Sequence, residues 1–214
     1  DAIDRIVGGL ERKSKIISPE EKRTIAYHEA GHATVSWLLP HANPLLKVTI
    51  IPRGQSLGAA WYLPDERHLT TKEQLKDEMA STIAGRVAEE IINGVISTGA
   101  LSDLEKLSKQ AYAMVTYFGM SDKVGNISFY DSSGRAEMAL SKPYSEKTAE
   151  LIDSEVKKLI DEAHKTATRI LTENRKGFED LAQLLLEKEV IFSEDLEKIF
   201  GPRKGGKDPN KLFD

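Results

Sequence analysis

Thr24-Ile25-Ala26-Tyr27-His28-Glu29-Ala30-Gly31-His32-Ala33-Thr34-Val35 is the stretch around which this chain is organised. Within it, His28-Glu29-Ala30-Gly31-His32 is a H-E-x-x-H pattern. On a helix, side chains four residues apart lie one above the other, so both imidazoles can reach one metal ion. Glu29 stands about 100° round the helix from His28, where a carboxylate can reach a water beside the ion without binding the ion. Neutral imidazoles with an open position suit zinc, which lowers the pKa of a water to about 7. Just upstream, Ser18-Pro19-Glu20-Glu21 reads as an N-cap, a proline at the first helical position and a capping-box glutamate. A helix is therefore expected from about Pro19 to Leu39, stopped by Pro40. Ala30 and Gly31 leave room for another element to pack closely against it.

The composition narrows the setting. With 214 residues, 40% hydrophobic and 30% charged, the chain suits one globular domain or two small ones. A formal net charge of -4 gives no global basic field, so nucleic acid is discounted as a partner. There are no cysteines, so a metal must be held by histidines and carboxylates. No apolar run approaches the ~18 residues of a membrane span, and no signal peptide is visible. The opening Asp1-Ala2-Ile3-Asp4 reads like the middle of a longer protein, so the chain is expected to be a fragment.

Outward from the histidines, the chain reads as mainly helical with a small sheet. Residues 1–13 carry Ile3, Ile6, Val7 and Leu10 among charges, the pattern of a short helix weakened by Gly8-Gly9. Leu46-Lys47-Val48-Thr49-Ile50-Ile51 predicts a strand closed by Pro52-Arg53-Gly54. A second strand-like run follows at Leu57-Gly58-Ala59-Ala60-Trp61-Tyr62-Leu63; glycine in a strand marks close approach of other groups. Thr71 caps a helix through Asn93, with Leu75, Met79, Ile83, Val87 and Ile91 as its apolar stripe and Gly94 as its stop. Ser97 to Ser102 is a loop, and Ser102 or Asp103 can cap the next helix, which runs to about Phe118. A turn-rich segment from Gly119 to Lys142 holds a strand candidate at Asn126–Tyr130 and a flexible stretch at Asp131-Ser132-Ser133-Gly134. Helices are expected at about Ser145–Asn174, at Phe178–Glu187 and from a cap at Ser193. Lys204 to Asp214 is polar and reads as a disordered tail.

A catalytic zinc takes three protein ligands and keeps one position open. A third histidine six residues after His32, as in metzincins, is excluded because Leu38 stands there. A thermolysin-like glutamate would fall near Ile51-Pro52, where there is no acid. His41 follows the helix-ending proline, His68 lies in a charged loop and His164 is mid-helix; each reads as a surface histidine. Two carboxylate sources remain, Glu89-Glu90 late in the second helix and Asp103 at the head of the third. On the residues alone both stay open.

Together, several motifs resemble the peptidase domain of the FtsH family of membrane-anchored, ATP-dependent AAA zinc proteases. They are Tyr27 to Ala33, Ile51-Pro52-Arg53-Gly54, Leu57-Gly58, Leu63-Pro64, Gly85-Arg86-Val87-Ala88-Glu89-Glu90, and Ser97-Thr98-Gly99-Ala100 with Asp103. Phe118-Gly119-Met120-Ser121, Pro143-Tyr144-Ser145 and Gly9-Leu10-Glu11-Arg12-Lys13 extend the match from Asp4 to about Arg203. The resemblance implies an α+β fold, a zincin-like core at about 18–140 followed by a helical part at about 141–203. It makes residues 1–17 the end of an ATPase lid and a linker, ahead of a peptidase domain at 18–203 and a tail at 204–214. It implies one Zn2+ per chain on His28, His32 and Asp103, with Glu29 as general base and Glu90 behind the ligands, orienting a histidine. Ser102 departs from the asparagine usual at that position.

The chemistry expected is hydrolysis of internal peptide bonds in unfolded polypeptides, with Leu57, Gly58, Ala59, Ala60 and Trp61 as an edge strand on which substrate adds. The chain contains no G-x-x-x-x-G-K-[ST], so ATP would be used by an upstream module outside it. The family further implies a homohexamer, and a parent anchored in a membrane through a missing N-terminal segment, with this domain on the cytoplasmic or mitochondrial matrix side. Apolar stripes on the helices from Ser145 to Phe200, widest at Leu184-Leu185-Leu186, are the expected ring contacts. A structural metal module and a small-substrate zinc hydrolase are the competing readings. A fully protein-ligated metal would favour the first, and a closed pocket the second.

Overall fold

The histidine helix, α1 (Pro19–Leu38), is the buried axis of the molecule. Ser18 and Glu21 form the expected capping box: the Glu21 backbone N–H donates to Ser18 Oγ at 3.2 Å, and the Ser18 N–H to Glu21 Oε2 at 3.0 Å. From Ala26 to Trp37 every residue except Tyr27 is buried. A helix covered on all sides has no need of a single apolar stripe, which is why this one is rich in alanine and carries polar groups inward. The computed structural model describes residues 17–52, 57–62, 69–130 and 143–203. The expected helix at 1–13, the Arg53-Gly54 turn, His68, the stretch from Asp131 to Gly134 and the tail from Lys204 lie outside them.

Small residues let the second long helix, α2 (Lys72–Asn93), cross α1 almost backbone to backbone. A Cβ at Gly31 would stand 2.6 Å from the Ala84 carbonyl oxygen and 2.7 Å from the Ala88 Cβ. Thr71 and Gln74 cap the start of α2, and Gly94 ends it at φ 65°, a left-handed turn that suits glycine. A turn of 3-10 helix (Thr98–Ala100) leads directly into α3 (Leu101–Thr116). Two further helices, α4 (Glu146–Glu173) and α5 (Arg175–Lys188), are joined at Asn174. α4 packs against α2 and α3, while α5 packs against α1.

The sheet has three antiparallel strands in the order β2-β1-β3: β1 (Leu45–Thr49), β2 (Ala59–Tyr62) and β3 (Val190–Phe192). In β1, Lys47 faces Trp61 on one side and Phe192 on the other. That leaves β2 at an edge, with no strand among the described residues on its outer side. A short helix, α6 (Ser193–Phe200), follows β3. The main core gathers Phe178, Leu181, Leu185, Ile191 and Leu196 against α1 and the sheet. Burial of a side chain such as Phe178 contributes about 2–3 kcal/mol, and Tyr27 meets its ring edge-on at 5.7 Å. A smaller cluster of Val115, Val124 and Ile152 closes the far end of α3.

Three expectations change. Asn126–Tyr130 is no strand; it is held by isolated bonds, Phe129 N–H to the Thr116 carbonyl at 2.7 Å and Ile127 N–H to that of Gly125 at 2.9 Å. A strand not expected, β3, completes the sheet after Glu189, which adopts φ 59°. The leucine stripe on α5 is largely satisfied within the chain, because Leu185 is buried while Leu184 and Leu186 pack on the core half-covered. Large exposed apolar side chains lie elsewhere: Val95, Ile96 and Leu101 around the 3-10 turn, Tyr117, Phe118, Ile127 and Tyr130 beyond α3, Leu69, and in the C-terminal part Phe192.

Candidate metal centre

One turn of α1 places His28 and His32 on the same side, and the first turn of α3 brings Asp103 to meet them. The two Nε2 atoms are 3.0 Å apart. Asp103 Oδ2 lies 3.2 Å from His28 Nε2 and 3.5 Å from His32 Nε2. Among the described residues, these three form the group able to hold a metal. Asp103 does not cap α3, as it was expected it could; Ser97 caps the 3-10 turn and Leu101 begins the helix, so Asp103 sits inside the first turn with its carboxylate turned to the histidines.

The hydrogen bonds on the far side of each ring decide what faces inward. His32 Nδ1 lies 2.8 Å from the Ser81 carbonyl oxygen, which can only accept, so Nδ1 carries the proton. His28 Nδ1 lies 2.7 Å from Glu89 Oε1 and donates to that carboxylate. Each neutral ring therefore turns a lone pair on Nε2 toward the other and toward Asp103. With both rings neutral, three acceptors converge there, an arrangement that a metal cation or an added proton satisfies. Zinc ligands about 2.1 Å from one ion at tetrahedral angles stand about 3.4 Å apart, close to the three separations seen, so the residues fit zinc.

Without an ion, protons answer the same demand. Burial works to lower the His28 pKa, but hydrogen bonds to Asp103 and Glu89, with the charges of Glu29 and Asp103, outweigh it and push His28 up to about 10. Burial opposes ionisation of Asp103 too, yet its hydrogen bonds to His28 and His32 hold its carboxyl well below the usual carboxylate range.

Glu89 does more than orient His28. Its other oxygen, Oε2, accepts the Ser97 backbone N–H at 2.9 Å, so one carboxylate ties a ligand ring to the loop that delivers Asp103. Sequence reasoning gave this place to Glu90. The structure instead sets Glu90 Oε2 2.9 Å from His164 Nε2 on α4, with Arg86 Nε 3.7 Å from Oε1. The signal lay in helical phase: Glu89 is four residues past Gly85, which faces the histidines, whereas Glu90 is four past Arg86. His164, read as a surface histidine, is half-exposed and paired with Glu90. His41 stays outside the site, where its backbone N–H meets Asp77.

Glu29 is buried beside the ligands without joining them. Burial raises its pKa, with the charges of His32 and His28 pulling the other way. Gly58, just before β2, backs onto it: a Cβ there would stand 2.5 Å from Glu29 Oε1. Of the stretch expected as a substrate strand, Ala59 to Trp61 belong to β2, while Leu57 and Gly58 lead into it. The arrangement brings together three side chains able to hold a metal, a buried carboxylate beside them, and a strand whose lead-in glycine backs onto that carboxylate.

A family model described as peptidase family M41 matches residues 15–199. Over 203 residues the chain is 64% identical to the ATP-dependent zinc metalloprotease FtsH of Parabacteroides distasonis, covering 95% of this chain and 30% of that protein. It is 55% identical over 211 residues to the FtsH of Rhodothermus marinus, covering 98% and 30%. With the mitochondrial inner membrane m-AAA protease component AFG3L2 of Mus musculus the identity is 54% over 202 residues, covering 94% and 25%. The chain thus spans about a quarter to a third of the length of these relatives.

Proposed function

Since the chain belongs to peptidase family M41, we propose that it is the proteolytic part of an ATP-dependent zinc metalloprotease, hydrolysing internal peptide bonds of unfolded polypeptides. The observation that carries this reading is the convergence of His28 Nε2, His32 Nε2 and Asp103 Oδ2 within 3.5 Å of one another. Those residues hold one zinc ion per chain, and Glu89 keeps His28 in the tautomer that offers Nε2. When bound, zinc polarises the scissile carbonyl and makes a water easier to deprotonate.

Glu29 takes the proton of the attacking water and returns it to the leaving amine. Its burial supports both halves of that exchange, because a carboxyl with raised proton affinity is a better base than one in water. Substrate adds to the outer edge of β2 through its backbone, along Leu57, Gly58, Ala59, Ala60 and Trp61. Pairing of that kind asks for an extended chain and little side-chain identity, which suits removal of unfolded and membrane proteins. Gly58 brings this edge against Glu29, so a chain laid on it passes the base.

We place the whole protein in a membrane, with this domain on the cytoplasmic or mitochondrial matrix side, and assembled as a homohexamer. Support comes from the family and from a relative named as a mitochondrial inner membrane component. No described helix is long and apolar enough to cross a membrane; the reading assigns the anchor and the module that uses ATP to other parts of the protein.

The test is Glu29→Gln. The variant should retain about one zinc per chain while casein hydrolysis falls by about 10²–10⁴-fold, and a chelator should abolish hydrolysis by the parent. Near-normal turnover in Glu29→Gln would reject Glu29 as the base. Undiminished cleavage by metal-stripped protein would reject the zinc mechanism.

A further inference from the structure

Three glycines line the seams of α1 with α2 and β2, each against a different neighbour. Gly31 meets the backbone and a methyl of α2, and Gly58 meets the Glu29 side chain. Gly85, on α2, meets the centre itself. A Cβ there would stand 2.4 Å from His28 Nε2, 2.5 Å from His32 Nε2 and 2.6 Å from His28 Cδ2. Real Cβ atoms essentially never come within 3.0 Å of such neighbours.

We propose that Gly85 is a positioning residue whose missing side chain keeps the metal's place between His28 and His32 open. The proposal rests on the reading of the centre as a zinc site. Zinc held by both Nε2 atoms stands about 2.0–2.1 Å from each. A methyl carbon 2.4 and 2.5 Å from the same two atoms cannot coexist with both rings as they stand. Neither ring can swing aside freely, because His32 Nδ1 is tied to the Ser81 carbonyl and His28 Nδ1 to Glu89. Ser81, Gly85 and Glu89 are spaced four apart and form one stripe of α2 facing α1. One helix face thus fixes both rings from behind and leaves the gap between their inward nitrogens. A side chain at 85 fills that gap, and the rings must give up either their anchors or the ion.

Gly85→Ala is the first variant, read by far-UV circular dichroism, by thermal melting of chelator-treated protein, and by competition with a chromophoric chelator for zinc. It should keep the helical spectrum, since alanine favours a helix over glycine. Its zinc affinity should drop on the order of 100-fold, the scale seen when a ligand loses its orienting partner. A second comparison needs no metal. In a His28→Ala/His32→Ala background the three nearest atoms that a residue-85 methyl would meet are gone, so adding Gly85→Ala should leave the melting temperature unchanged or raise it. Gly31→Ala, whose methyl meets α2 backbone, should lower it in both backgrounds alike. Zinc binding by Gly85→Ala as tight as the parent's would overturn the proposal. So would an equal fall in melting temperature with and without the two histidines, which would make Gly85 a packing residue like Gly31. Should Gly85→Ala fail to fold in the parent, the histidine-free background decides. A parent that binds no zinc would strike the zinc reading, while a histidine-dependent melting difference would still separate Gly85 from Gly31.

Discussion

Glu89 and Glu90 are neighbours on α2, and each meets a histidine, yet the two pairs are different devices. His28 and Glu89 are 2.7 Å apart with side chains 11% and 3% exposed. His164 and Glu90 are 2.9 Å apart with side chains 38% and 35% exposed. The contact itself is nearly the same. What differs is the far side of each ring. His28 Nε2 looks onto His32 Nε2 and Asp103, two imidazoles and a carboxylate enclosed together. His164 Nδ1 looks onto the Thr168 hydroxyl at 3.5 Å and the surface. A histidine–carboxylate pair can serve a metal site when its second nitrogen is enclosed with other possible ligands; beside a hydroxyl and the surface it is a clasp.

The largest test of this contrast removes a group from each side. Asp103→Asn should reduce zinc affinity beyond the about 10–100-fold that an outer partner commands, whereas His164→Ala should leave it unchanged. Isothermal titration with zinc compares them. Equal losses would mean that the α2–α4 pair is part of the centre. One step down, Glu89→Gln against Glu90→Gln isolates the two acids. The first should weaken zinc by about 10–100-fold, and it also loosens Ser97, which shares the carboxylate. The second should not alter zinc binding. A larger effect from Glu90→Gln would restore that residue to the place behind the ligands.

Acidity sharpens the same comparison. In metal-free protein, against the effect of burial, the His28 pKa is pushed up to about 10 by its carboxylate neighbours, so proton and zinc compete for Nε2. Zinc affinity should therefore rise by about tenfold per pH unit between neutrality and that value, one proton leaving per ion bound. The stability of the metal-free chain runs the other way. A histidine whose folded pKa is raised contributes stability that is fully present below its unfolded value, about 6.5, and lost as pH rises through the folded one. Melting of chelated protein should accordingly fall as pH climbs from about 6.5 to about 10, and added zinc should cancel the trend. A flat profile for chelated protein would mean that no proton is held between the ligands.

How legible all this was depends on range. α1 could be placed to within a residue because its cap, proline and motif are all local. α2 was placed from Thr71 and Gly94 for the same reason. β3 is three residues long, and its partner β1 lies some 140 positions earlier; nothing in Val190-Ile191-Phe192 alone distinguishes it from a helix linker. Asn126–Tyr130 has strand residues but, among the described residues, meets no strand edge. His28, Glu29 and His32 follow from spacing, whereas Asp103 came from resemblance, since its approach depends on the turn before α3. Glu89 was missed by one residue, a rotation of about 100°. The Ser81 carbonyl that fixes His32 is backbone, and no residue type announces it.

The smallest effect belongs to the outer pair. Thr168 Oγ1 donates to the His164 carbonyl at 2.8 Å, so it steadies the helix whatever the ring does. Glu90 also has the Arg86 guanidinium within reach. Removing the imidazole therefore leaves no enclosed charge stranded, and α2 and α4 remain joined by their apolar contact. A half-exposed contact of this kind contributes about 0–1 kcal/mol. For a chain of this size that is at most about 2–4 °C in melting temperature, and His164→Gln should fall within it. His28→Gln in metal-free protein should cost more, because it leaves Asp103 and Glu89 facing a group that cannot become positive; burial makes that loss larger than any at the surface. Thermal melts of the two glutamine variants with chelator present compare the pairs directly. A larger fall for His164→Gln would place the structural weight on the α2–α4 clasp and break the distinction drawn between the two histidines.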